Sequence, residues 1–301
     1  MKKILFVFNP HSGKGQIKDH LLDIVNILVS AGFDVNIHPT QGRNDAKATV
    51  IRFKGTYDAI VCSGGDGTVN EVVAGLMAAG IDVPITYIPA GSTNDFANGL
   101  QLPKSMTKAA KLAVKGVPYK VDMGTFNDRS FVYVAAFGAF TEVSYATSQQ
   151  LKNVLGHQAY IIEGMRQFTN IKSSHMTITA NGQTMEGDFI YGMVTNADSV
   201  GGFKGITGKN IGLDDGIFEV TLIRKLKNPL DLNNLVSYAI TKEVKEDQSV
   251  VVFKASKIVF ESEERVPWVL DGEFGGKQKR VEIINRHQVA TFTVDKNFVR
   301  P

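Results

Sequence analysis

Residues 57–71 read YDAIVCSGGDGTVNE. The apolar run at 57–62 predicts a buried strand, and the pattern at 68–79 predicts a helix. Between them, three glycines surround Asp66 and remove the side chains that would keep a phosphate group away from backbone N–H groups. Because α/β sheets bind ligands at the carboxyl ends of their strands, this turn predicts a phosphate site. Asp66 would act there on phosphate-bound Mg²⁺, directly or through water, although Gly and Asp are also common in purely structural turns.

The alternation of strand and helix extends outward from this stretch. Residues 4–8 are a solid apolar run, typical of a central parallel strand, and apolar residues at helical spacing follow from Ile17 to Leu28. Short strands are predicted at 35–38 and 83–88. We therefore expect a parallel α/β nucleotide-binding domain over residues 1–120.

The pattern changes near Pro118, where short alternating segments separated by turn residues begin. They predict an antiparallel β-sandwich or barrel-like domain over residues 121–301, with a cleft between the two domains and the last residues packed back on the first. Helical segments are expected near 142–168 and 229–241. The predicted strands are 120–126, 131–136, 175–180, 189–196, 217–223, 257–261, 266–270, 280–284 and 289–294.

Composition excludes several classes of protein. A chain of 301 residues suggests two domains, at roughly 100–200 residues per domain. A net charge of +3 is too small to indicate a nucleic-acid partner. Cys62 is the only cysteine, which forbids an intramolecular disulfide and fits a reducing compartment. No apolar run reaches the length of about 18 residues that a membrane-spanning helix needs.

Two further turns follow predicted strands. NPHSGKG at 9–15 has neither the spacing of a Walker A loop nor that of GxGxxG, and a plain strand-to-helix turn is the alternative to a phosphate loop. PAGSTNDFA at 89–97 offers hydrogen-bonding side chains, although capping of a helix alone would explain them.

The three turns together resemble the catalytic domain of diacylglycerol kinases, and within that superfamily the bacterial soluble lipid kinases. The likeness rests on NPxSG, GGDGTxNE and GSTNDF in this order, and runs over essentially the full length. The turn GGDGT is also shared with NAD kinases and 6-phosphofructokinases. The resemblance implies ATP bound in the cleft, against Asn9, Pro10, His11, Ser12, Gly13, Thr40, Gly65, Asp66, Gly67, Thr68, Val69, Asn70, Glu71 and Ser92. Thr40 has the least support, because HPTQG offers only one small polar residue after a strand.

The β-rich half contains two further matches. GLDDGIFE at 212–219 resembles the family's structural Mg²⁺ loop, which implies ligation by the Asp215 carboxylate and the carbonyl oxygens of Gly212 and Ile217. The neighbouring Asp214 leaves the register open by one residue. A hairpin turn with exposed acids is the alternative.

The second match, WVLDGE at 268–273, resembles the family's LDGE segment near the active site. One of its two carboxylates would accept the proton of the acceptor hydroxyl. The resemblance puts this base at Glu273, with Asp271 orienting groups or belonging to a metal network, and the sequence does not separate the two roles. An Asp-Gly hairpin turn is the structural alternative.

These features lead us to expect an ATP-dependent kinase that phosphorylates a lipid hydroxyl, with diacylglycerol as first candidate and phosphatidic acid as product. Phosphatidylglycerol, a polyprenol and a sphingoid base remain open. The enzyme would be cytoplasmic and peripheral at the inner face of the membrane, and an exposed sheet edge would support a homodimer. The alternatives are an NAD kinase-like nucleotide kinase and a lipid-sensing pseudokinase. The presence of Asp66, Asp271 and Glu273 argues against a pseudokinase.

Overall fold

The computed structural model describes residues 1–138, 172–197, 199–200, 203–204, 212–227, 231, 238 and 249–299. The chain divides into two compact units. The first comprises Met1–Met123, Gly212–Gly216 and Arg286–Pro301, and the second comprises Gly124–Ile211 and Ile217–Asn285. The first unit alternates strands and helices and the second is mostly strands, so the predicted fold class, α/β plus all-β, is confirmed.

The helices are α1 (Ile17–Ser30), α2 (Asp45–Arg52), α3 (Asp66–Ala79), α4 (Asp95–Gly99), α5 (Met106–Ala110) and α6 (Leu112–Lys115). The strands are β1 (Lys3–Phe8), β2 (Asp34–Pro39), β3 (Ala59–Gly64), β4 (Ile85–Pro89), β5 (Val117–Phe126), β6 (Arg129–Phe131), β7 (Val134–Gly138), β8 (Ser174–Ala180), β9 (Gln183–Thr195), β10 (Ser199–Val200), β11 (Phe203–Lys204), β12 (Phe218–Arg224), β13 (Val250–Ala255), β14 (Lys257–Leu270) and β15 (Glu273–Val294). Among the described residues, no helix is long and apolar enough to cross a membrane.

The first unit is built on a parallel sheet with the strand order β2-β1-β3-β4, continued by the end of β15. Ile4 lies between Val35 on one neighbouring strand and Ala59 on the other, so β1 is central. The chain runs from β1 out to β2 and then returns to β3 on the opposite side of β1. This reversal is a topological switch point, where α/β sheets bind ligands beyond the carboxyl ends of the strands.

Burial explains why these segments fold as they do. Residues 4–8 of β1 are all buried, as in a strand covered on both faces. α1 buries Ile17, Ile24 and Leu28, each at most 1% exposed, and full burial of such a side chain contributes about 1.5–3 kcal/mol. α3 begins within the glycine turn, at Asp66, and ends at Ala79, just before Gly80, whose φ of +63° suits a residue without Cβ.

The second unit is an antiparallel sheet in the order β13-β12-β9-β7-β14-β15. β8 pairs with both β9 and β14, so that β7, β9, β8 and β14 form a closed circuit of ladders, in keeping with the barrel-like prediction. Its core is aromatic. Phe126, Phe137 and Phe260 surround Trp268 with ring centroids 5.2, 4.8 and 5.1 Å from the indole.

Several elements differ from the sequence-based expectations. The short strands predicted at 257–261 and 266–270 are one strand, β14, with a register shift between Glu261 and Val266. Those at 280–284 and 289–294 are likewise joined in β15. The strand predicted at 131–136 is divided between β6 and β7, and the sequence did not predict α2, α5, α6, β10, β11 or β13. The helical segment expected at 142–168 lies outside the described residues, and within 229–241 only Asp231 and Tyr238 are described, both helical.

The loop at 212–216 also lies elsewhere than expected. The sequence places it in the β-rich half, whereas its contacts put Gly212–Gly216 in the first unit, together with Arg286–Pro301.

Candidate active site

Three loops of the first unit meet beyond the carboxyl ends of β1, β3 and β4. The backbone N–H of Asn9 donates to the Ser63 carbonyl at 2.9 Å, and the Ser12 hydroxyl accepts the N–H of Gly65 at 3.2 Å. On the other side, the N–H of Ala90 donates to the Gly64 carbonyl at 2.8 Å. The glycine turn after β3 is therefore held between the other two loops.

Glycine is required where these loops touch. A Cβ at Gly13, whose φ is +56°, would collide with the carbonyl oxygen of Ala90. A Cβ at Gly91 would lie 2.8 Å from the Cα of Gly65, which is too close for any side chain. The loops thus form a cradle of bare backbone, the surface that phosphate oxygens need.

The loop after β4 is fixed by Asn94, a residue in the left-handed region with φ of +52°. Its side-chain oxygen accepts the N–H of Gly91 at 2.8 Å, and its amide nitrogen donates to the Gly91 carbonyl at 2.8 Å. Beneath it, the buried Tyr87 hydroxyl lies 3.2 Å from the Gly64 carbonyl. Burial, followed by the nearby Asp66 carboxylate, raises the pKa of Tyr87 well above its ordinary value, so this hydroxyl stays a donor.

Asp66 is the first residue of α3 and is only 7% exposed. Its Oδ2 accepts the backbone N–H of Asp95 at 3.1 Å, and Asp95 is itself fully buried. A carboxylate is favourable in the first turn of a helix because the helix dipole is positive there. The hydrogen bond ties the beginning of α3 to the beginning of α4.

Thr40 and Glu71 lie on a neighbouring part of the same unit. Thr40 is buried and donates its N–H to the Phe8 carbonyl at 2.8 Å. The Glu71 carboxylate accepts the N–H groups of Asn44 and Ala46 at 2.7 and 3.2 Å. Predicted from the sequence as a nucleotide contact, Glu71 thus directs both oxygens to the N-terminus of α2.

The other predicted nucleotide residues differ in what they expose. His11, Gly13 and Ser92 are exposed, and Asn9, Pro10, Ser12, Gly65, Gly67 and Asn70 are partly so. Thr68 is buried at 8% exposure. Val69 is fully buried, so only its backbone is available to a ligand, and its N–H already donates to the Gly65 carbonyl at 3.3 Å.

In the second unit, Asp271 and Gly272 form the two-residue turn between β14 and β15. Their φ values are +50° and +83°, as a type I′ hairpin requires. The Asp271 carboxylate accepts the N–H groups of Val132, Tyr133 and Val134 at 2.7, 3.0 and 3.2 Å. Burial raises the pKa of Asp271 to about 6, against the lowering effect of these three donors. Asp271 therefore anchors the hairpin.

The residues after the turn are accessible. Glu273 and Phe274 are both exposed, in contrast to Asp271 at 8%. The pairing of Val269 with Phe274 and of Trp268 with Gly276 leaves Gly275 as an extra residue in β15, a β-bulge. Arg129 donates from Nη1 to the Gly275 carbonyl at 2.8 Å.

The loop at 212–216 is organised by Asp122, a fully buried residue that sequence reasoning missed. Its carboxylate accepts the N–H groups of Gly216 and Gln288 at 2.6 and 2.7 Å. The only sequence signal for it is an acid inside an apolar strand. Asp215 is exposed, and its Oδ2 lies 2.7 Å from where a Cβ on Gly212 would stand. The described residues contain no cluster of three or more His, Cys, Asp or Glu side chains able to hold a metal.

Two family models cover most of the chain. Residues 3–126 match the diacylglycerol kinase catalytic domain, and residues 134–287 match the YegS C-terminal NAD kinase beta sandwich-like domain. A diacylglycerol kinase of Bacillus subtilis (strain 168) is 32% identical over 281 residues, which cover 92% of this chain and 91% of that protein. This chain belongs to the diacylglycerol kinase family.

Other diacylglycerol kinases show likeness of the same extent. One from Staphylococcus carnosus (strain TM300) is 34% identical over 277 residues, covering 92% of this chain and 90% of its own. The crystal structure of one from Bacillus anthracis str. Sterne superposes with a TM-score of 0.77 at 25% identity, covering 99% of this chain and 98% of that chain. A further solved structure from the same strain gives a TM-score of 0.81 at 28% identity, covering 99% and 97%.

Membership of the diacylglycerol kinase family confirms the resemblance carried by the three loop motifs. It makes the chain a lipid kinase, an enzyme class that uses ATP. The roles of individual residues and the identity of the lipid stay predictions.

Proposed function

We propose that this diacylglycerol kinase family member transfers the γ-phosphoryl group of ATP to the hydroxyl group of a membrane lipid. Diacylglycerol is the first candidate for this lipid, and its product would be phosphatidic acid. The observation that carries the proposal is the bare backbone cradle around Gly13, Gly65 and Gly91, with Asp66 at its edge. Phosphoryl transfer depends mainly on positioning and on neutralising charge, and such a cradle suits both.

The cradle fits the phosphates of ATP for a simple steric reason. Contact between Gly13 and Ala90, and between Gly65 and Gly91, leaves no room for side chains where the loops meet. The first turn of α3 carries the positive end of the helix dipole, which favours an anion there, although the N–H groups of Thr68 and Val69 already donate to the Gly65 carbonyl at 3.0 and 3.3 Å. Thr40 and Ser92 complete the proposed nucleotide site.

A bound Mg²⁺ would neutralise phosphate charge, and Asp66 is the residue proposed to hold it, directly or through water. We assign a second, structural ion to Asp215 with the carbonyl oxygens of Gly212 and Ile217. Two observations support this ligand set. The Asp215 carboxylate lies against Gly212. The carbonyl oxygen of Leu213, the residue after Gly212, already accepts the N–H of Asp122 at 2.7 Å, so it is not among the proposed ligands.

The second unit supplies the base. Glu273 is exposed at the end of a well-anchored hairpin, whereas Asp271 is buried and accepts three backbone N–H groups. Glu273 therefore accepts the proton of the lipid hydroxyl, and Asp271 fixes the turn that presents it. The sequence left these two roles open, and we assign them from this difference in burial.

The lipid acceptor makes the enzyme peripheral, working from the cytoplasmic side at the inner face of the membrane, with no nucleic-acid partner. A homodimer through an exposed sheet edge is part of the same proposal.

A second candidate, an NAD kinase-like activity, is favoured by one observation. Residues 134–287 match an NAD kinase beta sandwich-like domain model.

The proposal is tested by a transfer assay with ATP labelled at the γ-phosphate, Mg²⁺, a panel of detergent-dispersed lipid alcohols, and NAD as a soluble acceptor. Labelled phosphatidic acid is the expected product. Label in another lipid would replace diacylglycerol as the substrate, and label in NADP would establish the second candidate. ATP binding without any labelled product would indicate a pseudokinase and overturn the proposal.

A further inference from the structure

We infer that Arg129 is a positioning residue for the reaction, because its hydrogen bond to the Gly275 carbonyl orients the hairpin end that carries Glu273. The inference rests on the proposed function, in which Glu273 is the base. Arg129 belongs to no motif, and it lies 146 residues before Gly275 in the chain.

The bond from Arg129 reaches the hairpin at its β-bulge. Gly275 is the extra residue of the bulge in β15, and the extra residue of a bulge is left without its usual ladder partner. The guanidinium of Arg129 supplies a donor to this carbonyl at 2.8 Å. A hydrogen bond from a charged donor is roughly twice as strong as a neutral one.

The bulge is built from residues without side chains. Gly275 and Gly276 are adjacent glycines, and Gly276 has a φ of +100°, so neither has a Cβ to restrict its own backbone, although a Cβ at Gly275 would lie 3.0 Å from the Leu270 side chain. Glu273 lies two residues away, a lever of about 7 Å at the usual strand rise. A swing of about 10° at the bulge would move Glu273 by about 1 Å, and a misplacement of about 1 Å can cost roughly 100-fold in rate.

One segment of the chain, residues 129–134, holds both sides of the hairpin end. Residues 132–134 donate to Asp271 on the β14 side of the turn, and Arg129 donates to Gly275 on the β15 side. The ladder pairs Leu270–Glu273 and Val269–Phe274 lie between the turn and the bulge, so the hairpin tip is held by these pairs and by the attachment of Asp271. The Arg129 bond adds a restraint at the bulge itself, two residues from the exposed Glu273.

The test compares Arg129→Met and Arg129→Lys with the wild-type chain in the lipid transfer assay. Arg129→Met should lower kcat about 10- to 100-fold and leave the KM for ATP within about 2-fold. Arg129→Lys keeps a charged donor and should recover part of kcat. In the Glu273→Gln background, Arg129→Met should cause little further loss, because the group that Arg129 positions has been disabled.

The chain offers a matched control in Asn127, in the turn just before Arg129. Its side chain donates to the Arg280 carbonyl at 3.3 Å and accepts the Glu282 N–H at 2.8 Å, so it also ties this turn to β15, but away from the bulge. Asn127→Gly tolerates the residue's φ of +52° and should lower the melting temperature with kcat near wild type. Amide hydrogen exchange at residues 273–276 should quicken in Arg129→Met and not in Asn127→Gly.

The outcomes separate the inference from the proposed function. Wild-type kcat and wild-type exchange in Arg129→Met would overturn the inference, while an inactive Glu273→Gln would leave the proposed function intact. A full, additive loss from Arg129→Met in the Glu273→Gln background would also overturn it. Wild-type turnover in Glu273→Gln would remove the proposed base, and the inference with it.

Discussion

The Glu71 carboxylate accepts the backbone N–H of Asn44 at 2.7 Å, between residues 27 positions apart. Asn44 is the N-cap of α2, has a φ of +64°, and makes no side-chain capping bond of its own. Glu71 therefore caps α2 from α3, the helix that begins at Asp66. This connection joins the glycine turn to the segment that follows Thr40.

Removing this cap should weaken ATP binding more than turnover. In Glu71→Ala, the N–H groups of Asn44 and Ala46 at the N-terminus of α2 lose their acceptor, and the loop after Thr40 loses its attachment to α3. We expect the KM for ATP to rise about tenfold, with kcat within about 3-fold, and the free energy of unfolding to fall by about 1–2 kcal/mol. Initial rates at varied ATP and urea unfolding measure the two effects.

Two variants sharpen this comparison. Glu71→Gln keeps one acceptor oxygen and should behave as an intermediate, whereas Asp23→Ala, which removes an exposed acid on α1, should change neither quantity. A loss of stability with an unchanged KM for ATP would reduce Glu71 to a structural cap.

The contact between Gly13 and Ala90 makes a second prediction. A Cβ at Gly13 would strike the Ala90 carbonyl oxygen, so Gly13→Ala must separate two loops of the cradle. We expect ATP affinity to fall at least tenfold. Gly15→Ala is the control. Gly15 also has a positive φ, +68°, but a Cβ there would lie 3.5 Å from the Pro10 carbonyl oxygen, an ordinary contact distance. Equal ATP affinity in the two variants, measured by calorimetry, would show that the close approach is irrelevant to the nucleotide.

Two substitutions at Asp66 distinguish its structural role, the link from α3 to α4, from its proposed role in holding Mg²⁺. Asp66→Asn keeps an oxygen able to accept the Asp95 N–H but removes the charge proposed to hold Mg²⁺. We expect the variant to fold normally and to lose about 10²- to 10³-fold in kcat. Near-normal turnover in Asp66→Asn, together with unfolding of Asp66→Ala, would mean that the residue only links α3 to α4. Rates at saturating ATP and Mg²⁺, alongside circular dichroism, distinguish these results.

Asp271 should give stability a specific dependence on pH. Its pKa rises from 3.8 to about 6 on folding, so the folded chain binds this proton more readily than the unfolded chain. The contribution of Asp271 to stability is therefore present below pH about 4 and is lost as pH rises through about 6, by up to about 3 kcal/mol. Asp271→Asn should remove this slope. Denaturant unfolding of both proteins across this range is the measurement, and parallel profiles would contradict the assignment.

The sequence predicted elements whose reason for folding is local. β1 and α1 carry their burial pattern in their own residues, and the glycine turn at 63–71 marks the end of β3 and the start of α3. α2 was missed because its cap comes from Glu71, a residue outside its own segment. The split of β14 into two predicted strands has a similar cause, since the run ESEER at 261–265 interrupts the apolar alternation where the register shifts.

The candidate site shows the same limit. Three loop motifs point to a phosphate cradle because glycine has few other reasons to recur after strands. Nothing local distinguishes Asp271 from Glu273, because burial of the former depends on N–H groups from residues 132–134. The sequence likewise gives no local sign of the roles of Asp122 and Arg129, because each makes hydrogen bonds to backbone groups far away in the chain.

The last part of β15 has a consequence for biosynthesis. Phe292 pairs with Ile85 in β4, and the hydroxyls of Thr86 and Thr293 lie 2.7 Å apart. While a ribosome has released only the residues up to Asn285, β4 is an unprotected sheet edge, although most of its own unit has already emerged. The earliest-made unit is thus the last to be completed. Chaperone binding to this enzyme should concentrate on the interval before that final strand arrives.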